Sequence, residues 1–194
     1  GVSLTVRDGQ TIKIIDNSKD YDDVAGVPWA QDAVDFVSAR ELFTGTGERT
    51  FSPNTQMTRG MLVTVLHRLE GTPRATMEAL FDDIEEGKYY TEAALWASEK
   101  KIVAGTDKGF EPEGLITREQ FAVLLYRYAG SPAVEETPVE GFVDASYVSD
   151  WAVAAMNWAV ASGIITGRGS GVLDPGANAS RAEVATMLQR FVTK

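Results

Sequence analysis

Three arginines, Arg59, Arg118 and Arg181, each follow a hydroxyl residue, Thr58, Thr117 or Ser180, at the head of an amphipathic run. At the first position of a helix a guanidinium faces the positive end of the helix dipole, which is unfavourable by about 0.3–1 kcal/mol. The helix itself gives no reason to repeat that choice. A helix start with N–H groups to spare and a guanidinium beside them makes an anion site, where a carboxylate takes a bidentate pair from the arginine. The competing reading pairs each arginine with an internal acid, either Asp23, Asp83 or Asp144, which recur in step with them, or a neighbouring acid. The two readings are compatible. An arginine held from inside still presents an edge to a ligand.

Other candidate chemistry is weaker. Gln120 and Glu183 stand three residues after Thr117 and Ser180, which makes a capping box and explains both locally. Thr58 has Met61 at that place, and a thioether does not accept the backbone N–H. Arg68, Arg127 and Arg190 follow the first arginines by nine residues and fall near helix C-termini, where a cation complements the dipole. His67 is the single histidine and cysteine is absent. Disulfides, thiolate catalysis and multi-histidine or cysteine metal sites are therefore excluded. Asp16, Ser18 and Asp20 have calcium-loop spacing, but Tyr21 occupies the place of the turn glycine and no glutamate closes the loop. The glycine runs at 45–47 and 167–171 lack the lysine and the strand–loop–helix setting of a phosphate loop. No metal or cofactor is expected. The carboxylates recur with the repeat, so no unique glycosidase pair stands out.

The elements that position these residues come in threes. A proline precedes each hydroxyl by five residues (Pro53, Pro112, Pro175). Upstream lie Gly45, Gly105 and Gly167, and sixteen residues before each glycine an aromatic: Trp29, Tyr89 and Trp151. The period is about 60 residues, the mark of a repeat architecture. Each repeat reads as helix, loop, helix. In the first helices, Trp29, Ala33, Phe36 and Val37 share one face, as do Tyr89, Ala93, Trp96, Ala97 and Trp151, Ala155, Trp158, Ala159. That spacing favours core packing for the three leading aromatics, with partly exposed stacking platforms for a sugar ring as the alternative. The second helices carry Leu62, Val65, Leu66, Leu69 and their counterparts on a buried stripe. The linker 71–80 holds a short helix-compatible stretch from Arg74 to Leu80, and 130–141 reads as an exposed loop. Residues 2–15, with Asp8-Gly9 between two alternating runs, read as a β-hairpin.

The chain has 194 residues, 44% of them hydrophobic, and a net charge of −10. A surplus of acid argues against non-specific nucleic-acid binding. No apolar stretch is long enough to span a membrane. The start at Gly1, without a leader, reads as a piece cut from a larger protein.

The repeated pattern resembles the S-layer homology (SLH) module. The residues that carry the likeness are Tyr21-Asp22-Asp23-Val24, Trp29-Ala30 and Phe51-Ser52-Pro53 in repeat one. Repeat two gives Phe81-Asp82-Asp83-Ile84 and Phe110-Glu111-Pro112. Repeat three gives Trp151-Ala152, Gly163-Ile164-Ile165-Thr166-Gly167 and Ser180-Arg181-Ala182-Glu183. The likeness covers residues 20–194. It implies a mainly α fold, three modules in a pseudo-threefold trimer around a central helical bundle, with the β-hairpin at the N-terminus. The units are residues 1–20, 21–80, 81–141 and 142–194.

By the same resemblance the chain anchors a bacterial surface protein to the cell wall. It does so non-covalently and without catalysis, by binding an anionic secondary cell-wall polysaccharide that ends in a pyruvylated amino sugar. The ligand lies in grooves between repeats, and the arginines are its main contacts. The candidate ligand-binding set is Arg59, Arg118, Arg181, Trp29, Tyr89, Trp151, Asp23, Asp83, Asp144, Gly45, Gly105, Gly167, Gln120 and Glu183. Repeats one and two depart from the motif at Gly60-Met61 and Glu119-Gln120, so the three grooves are expected to be inequivalent. Replacing all three arginines by alanine is expected to abolish binding and spare the fold. The alternative function is a protein–protein module for self-assembly in a surface layer.

Overall fold

The computed structural model describes residues 16–76 and 81–194. The hairpin expected over 2–15 lies outside the described residues. So does the end of the helix expected over 74–80, of which residues 74–76 are irregular.

Among the described residues six α-helices form, two in each repeat. They are α1 (Gln31–Ala39) and α2 (Arg59–Leu69), α3 (Thr91–Glu99) and α4 (Arg118–Tyr128), and α5 (Val153–Ala161) and α6 (Arg181–Val192). The second helix of each pair begins where its hydroxyl residue dictates. Thr58, Thr117 and Ser180 are extended N-caps whose hydroxyls accept the N–H three residues on. Both expected capping boxes close: Thr117 N–H donates to Gln120 Oε1 at 3.1 Å, and Ser180 N–H to Glu183 Oε2 at 2.9 Å. Met61 leaves the box in α2 one-sided.

The apolar stripe of α2 broadens into burial from Leu62 through His67, the signature of an interior helix rather than a surface one. One core cluster runs through all three repeats, with Phe51, Phe110, Phe121, Leu66, Leu125 and Met156 fully enclosed. Packing between helices crosses repeat boundaries. α2 lies against α3, α4 against α5, and α6 returns to α1.

The segments entering the second helices also meet. Met57 N–H donates to Ala179 O, Ala179 N–H to Ile116 O, and Ile116 N–H to Met57 O, each at 2.9 Å. Three residues from three repeats thus satisfy one another in a closed ring. Otherwise, β-type pairing among the described residues is confined to isolated bridges.

The linker 130–141 is more ordered than its composition suggests. Pro138–Gly141 forms a 3₁₀ turn. Val139 is buried there, and its N–H donates to Asn157 Oδ1 at 3.1 Å.

Candidate functional site

The arginines are the first departure from expectation. Arg59, Arg118 and Arg181 are only 6%, 3% and 6% exposed. Each reaches across a repeat boundary to backbone carbonyls of the neighbouring loop. Arg59 Nε donates to Phe110 O at 2.8 Å, Arg118 Nε to Leu173 O at 2.8 Å, and Arg181 Nε to Phe51 O at 2.8 Å. Their Nη2 groups donate to Ala104 O, Thr166 O and Thr44 O, the residues just before the repeated glycines. Burial pulls the pKa of all three down from the ordinary value, with nearby acids opposing it. A guanidinium nevertheless stays charged in a protein.

The helix starts have no N–H groups to spare. Arg59 and Gly60 N–H donate to Gly114 O and Pro112 O, Arg118 and Glu119 N–H to Ala177 O and Pro175 O, and Arg181 and Ala182 N–H to Thr55 O and Pro53 O. The third N–H of each helix goes to the cap hydroxyl. The neighbouring repeat has filled the helix-start anion site with its own backbone.

The aspartates hold the other side of the same loops. Asp23 accepts from Phe51 and Ser52 N–H, Asp83 from Phe110 and Glu111 N–H, and Asp144 from Leu173 and Asp174 N–H, all at 2.6–2.9 Å. The peptide after each anchor residue is therefore gripped twice, by an aspartate of its own repeat and an arginine of another. The arginines do not pair with Asp23, Asp83 or Asp144, because backbone carbonyls intervene between the charges, whereas Arg118 does meet a neighbouring acid, Glu183, at 3.4 Å. The grip also holds Ser52, Glu111 and Asp174 at φ of 58°, 56° and 56°, a left-handed conformation that non-glycine residues adopt at a cost.

The repeated glycines are seats for rings. A Cβ on Gly105 would lie 2.2 Å from Phe81 Cε1, and one on Gly45 2.8 Å from Tyr21 Cε1. On Gly167 the nearest ring atom would be Phe142 Cε1 at 3.0 Å.

Trp29, Tyr89 and Trp151 correct the core reading. They are 59%, 56% and 58% exposed, and the residues after them, Ala30, Tyr90 and Ala152, are buried instead. Trp29 and Trp151 lie in short 3₁₀ turns, Pro28–Ala30 and Asp150–Ala152, that precede the α-helices. A tighter turn of 3.0 residues shifts the phase of the helical pattern, so extrapolating the 3.6-residue face backwards places the aromatic inside.

Exposed aromatics and buried arginines come together in grooves between repeats. A cavity of about 200 Å³ is lined by Tyr89, Arg181, Thr44, Gly45, Met61 and Arg68, among others. Its walls come from all three repeats. A second cavity, of about 370 Å³, has the same composition one step around the molecule: Trp29, Arg118, Thr166, Gly167, Glu183 and Arg190. The corresponding residues of the third interface are Trp151, Arg59, Ala104, Gly105, Gln120 and Arg127. Each of the two cavities offers a flat ring for stacking beside a fixed cation, a combination that suits a sugar bearing an acidic group.

Arg68 and Arg190 stand in the last turns of α2 and α6, as their spacing suggests, and both also line the grooves. The signal was present in spacing: Met61, Thr64, Val65 and Arg68 stand at i, i+3, i+4 and i+7, one continuous face. His67 is buried with Nε2 2.7 Å from Pro73 O, and faces no groove chemistry. Among the described residues no cluster of three or more metal-ligating side chains occurs, and no helix is long and apolar enough to cross a membrane.

Comparison with known proteins adds to this geometry. Residues 20–60, 80–122 and 141–185 match the family model of the S-layer homology domain. An amylopullulanase of Thermoanaerobacterium thermosulfurigenes is 28% identical over 86% of this chain and 9% of its own length. An exoglucanase of Acetivibrio thermocellus is 26% identical over 96% of the chain and 17% of its own. An S-layer protein of Bacillus thuringiensis subsp. finitimus is 26% identical over 89% of the chain and 21% of its own. The chain thus spans between 9% and 21% of the length of these relatives.

Proposed function

The chain belongs to the S-layer homology domain family, and on that premise we propose that it anchors a surface protein non-covalently to the bacterial cell wall by holding an anionic wall polysaccharide in its inter-repeat grooves. The family and its S-layer relatives indicate a cell-surface, cell-wall-associated protein. We read the pairing of α6 with α1, and the closed ring at Met57, Ile116 and Ala179, as a pseudo-threefold arrangement of units 21–80, 81–141 and 142–194 around α2, α4 and α6.

The observation that carries the binding reading is the recurrence of one composition in two cavities: an exposed aromatic from one repeat, a buried guanidinium from another, and a glycine loop from a third. Packing alone gives no reason to leave three large rings more than half exposed at the same place in every repeat. A pyruvylated amino sugar matches both parts, its pyranose face to the ring and its ketal carboxylate to the cation. We assign the chain binding and no catalysis. The enzyme names among its relatives belong to much longer proteins, of which the chain matches 9% and 17%.

The test is sedimentation with purified cell wall, before and after the secondary polymer is stripped. The chain is expected to pellet with intact wall and stay in solution with stripped wall. Equal pelleting with both would overturn the proposal. The self-assembly alternative has its own observation in Val143 and Tyr147, both 77% exposed on repeat three. It predicts sedimentation without any wall present.

A further inference from the structure

We propose that the third residue of α2, α4 and α6 (Met61, Gln120 or Glu183) sets how strongly each groove takes an anion, and that Glu183 is an internal carboxylate that already occupies the Arg118 groove. The inference rests on the reading of the grooves as anion sites and names which of them acts as one.

In the groove of repeat one, Arg181 spends Nε and Nη2 on Phe51 O and Thr44 O. Its Nη1 has no hydrogen-bond partner among the described residues. Arg181 is more than nine-tenths buried and still lines the cavity, from which we infer that its unused edge faces the groove. Arg68 adds a second cation, and the described residues that line this cavity include no carboxylate. At the third helical position stands Met61, which is apolar and uncharged.

The groove of repeat three has the same frame and opposite chemistry. Arg118 Nη1 meets Glu183 Oε1 at 3.4 Å. The same oxygen accepts from Arg168 Nε at 2.9 Å and Nη2 at 2.6 Å. Arg168 also pairs with Asp174. Glu183 does not swing aside readily, because Oε2 is held by Ser180 N–H in the capping box. An incoming carboxylate would find the edges of Arg118 and Arg168 that meet Glu183 taken and a like charge beside them, which disfavours binding. Such a groove retains the Trp29 face for a neutral sugar. The interface of Arg59 has Gln120 at this position, neutral and likewise tied to its N-cap.

The test uses the whole chain and two probes, the methyl glycoside of a pyruvylated amino sugar and the same sugar without the ketal. Isothermal titration gives affinity, while NMR of the Tyr89 ring and the Trp29 indole tells which groove responds. In the wild type the pyruvylated probe is expected to shift Tyr89 and leave Trp29 unmoved. Met61→Glu is expected to weaken binding at Tyr89 by about tenfold or more, through the like charge it introduces. Glu183→Gln is expected to make Trp29 respond to the pyruvylated probe. Both substitutions place residues that already cap a sister helix, so the fold is preserved and circular dichroism verifies it. If the wild type binds the probe but Met61→Glu leaves affinity intact and Glu183→Gln leaves Trp29 silent, the inference is overturned while the anchoring reading stands. A wild type that binds neither probe overturns both.

Discussion

Each of the three arginines has a structural role beside the binding role proposed for it. Arg181 bridges two carbonyls of repeat one from a distance of 130 and 137 residues in sequence. Its replacement by alanine strands Phe51 O in the core, and a hydrogen bond to a charged donor contributes about 1.5–3 kcal/mol. Arg181→Ala is therefore expected to lower stability by about 2–4 kcal/mol in urea denaturation, so the triple arginine variant cannot spare the fold as the sequence suggested. The exposed rings give the cleaner probe. Replacing Trp29, Tyr89 and Trp151 together by alanine is expected to change stability by about 0.5 kcal/mol or less per site, as surface substitutions do, while abolishing wall sedimentation. The aspartates bring pH into the same grip. Burial, the largest influence on Asp144, raises its carboxyl, but the amides of Leu173 and Asp174, its own backbone and the charge of Arg118 together outweigh it and hold the pKa below the usual value. A depressed folded-state pKa contributes stability that is fully present above about pH 4 and is lost as pH falls through the folded value. The Asp144→Asn variant is expected to lose the part of the acid-induced drop in melting temperature that belongs to this residue; an unchanged acid profile would remove Asp144 from the account. The recurrence of arginine and aspartate was legible in the sequence because residue type and register suffice to show it. Their partners were not, because backbone carbonyls and amides carry no mark of residue type, and those of the arginines lie 45 to 137 residues away in another repeat.

At the scale of elements, periodicity located the second helices to the residue, because a hydroxyl N-cap ahead of each apolar stripe specifies one start, reinforced by Gln120 in α4 and Glu183 in α6. It failed at the first helices for a reason that is equally local. A 3₁₀ turn before α1 and α5 rotates Trp29 and Trp151 out of the core, and no composition signal separates the last 3₁₀ residue from the first α-helical one. The glycines show the opposite case, where a sequence feature read as loop chemistry turns out to be packing. Gly105 leaves room for the Phe81 ring, and the added Cβ of alanine would come within 2.2 Å of it. Overpacking of this kind costs about 1–3 kcal/mol. Gly105→Ala is expected to fall in that range by chemical denaturation, and Gly26→Ala, where nothing lies within 4 Å of the added atom, to show no comparable loss. Equal effects at the two sites would mean that Phe81 relaxes freely and that the glycine is there for its backbone.

Across the whole molecule, the net charge of −10 means that the overall field repels an acidic polymer. Attraction has to come from cations fixed in the grooves and screened by their walls. Those cations are positioned from other repeats, so the site depends on closure of the set. A linear array of repeats tolerates removal of its last unit, because each unit contacts only its neighbours. Here the last unit is also the neighbour of the first. Deleting residues 142–194 removes Ala179 from the ring with Met57 and Ile116, Arg181 from the Phe51 loop, and α6 from the face of α1. It also removes the loop whose carbonyls cap the start of α4 and accept from Arg118. Both remaining repeats lose partners, although neither was cut. The full chain is therefore expected to melt in a single transition with matching calorimetric and van't Hoff enthalpies. Residues 1–141 alone are expected to show no cooperative melt and no near-ultraviolet signal from Trp96. A truncated chain that melts cooperatively within a few degrees of the full one would establish a linear array, and the grooves would then have to bind independently of the third repeat.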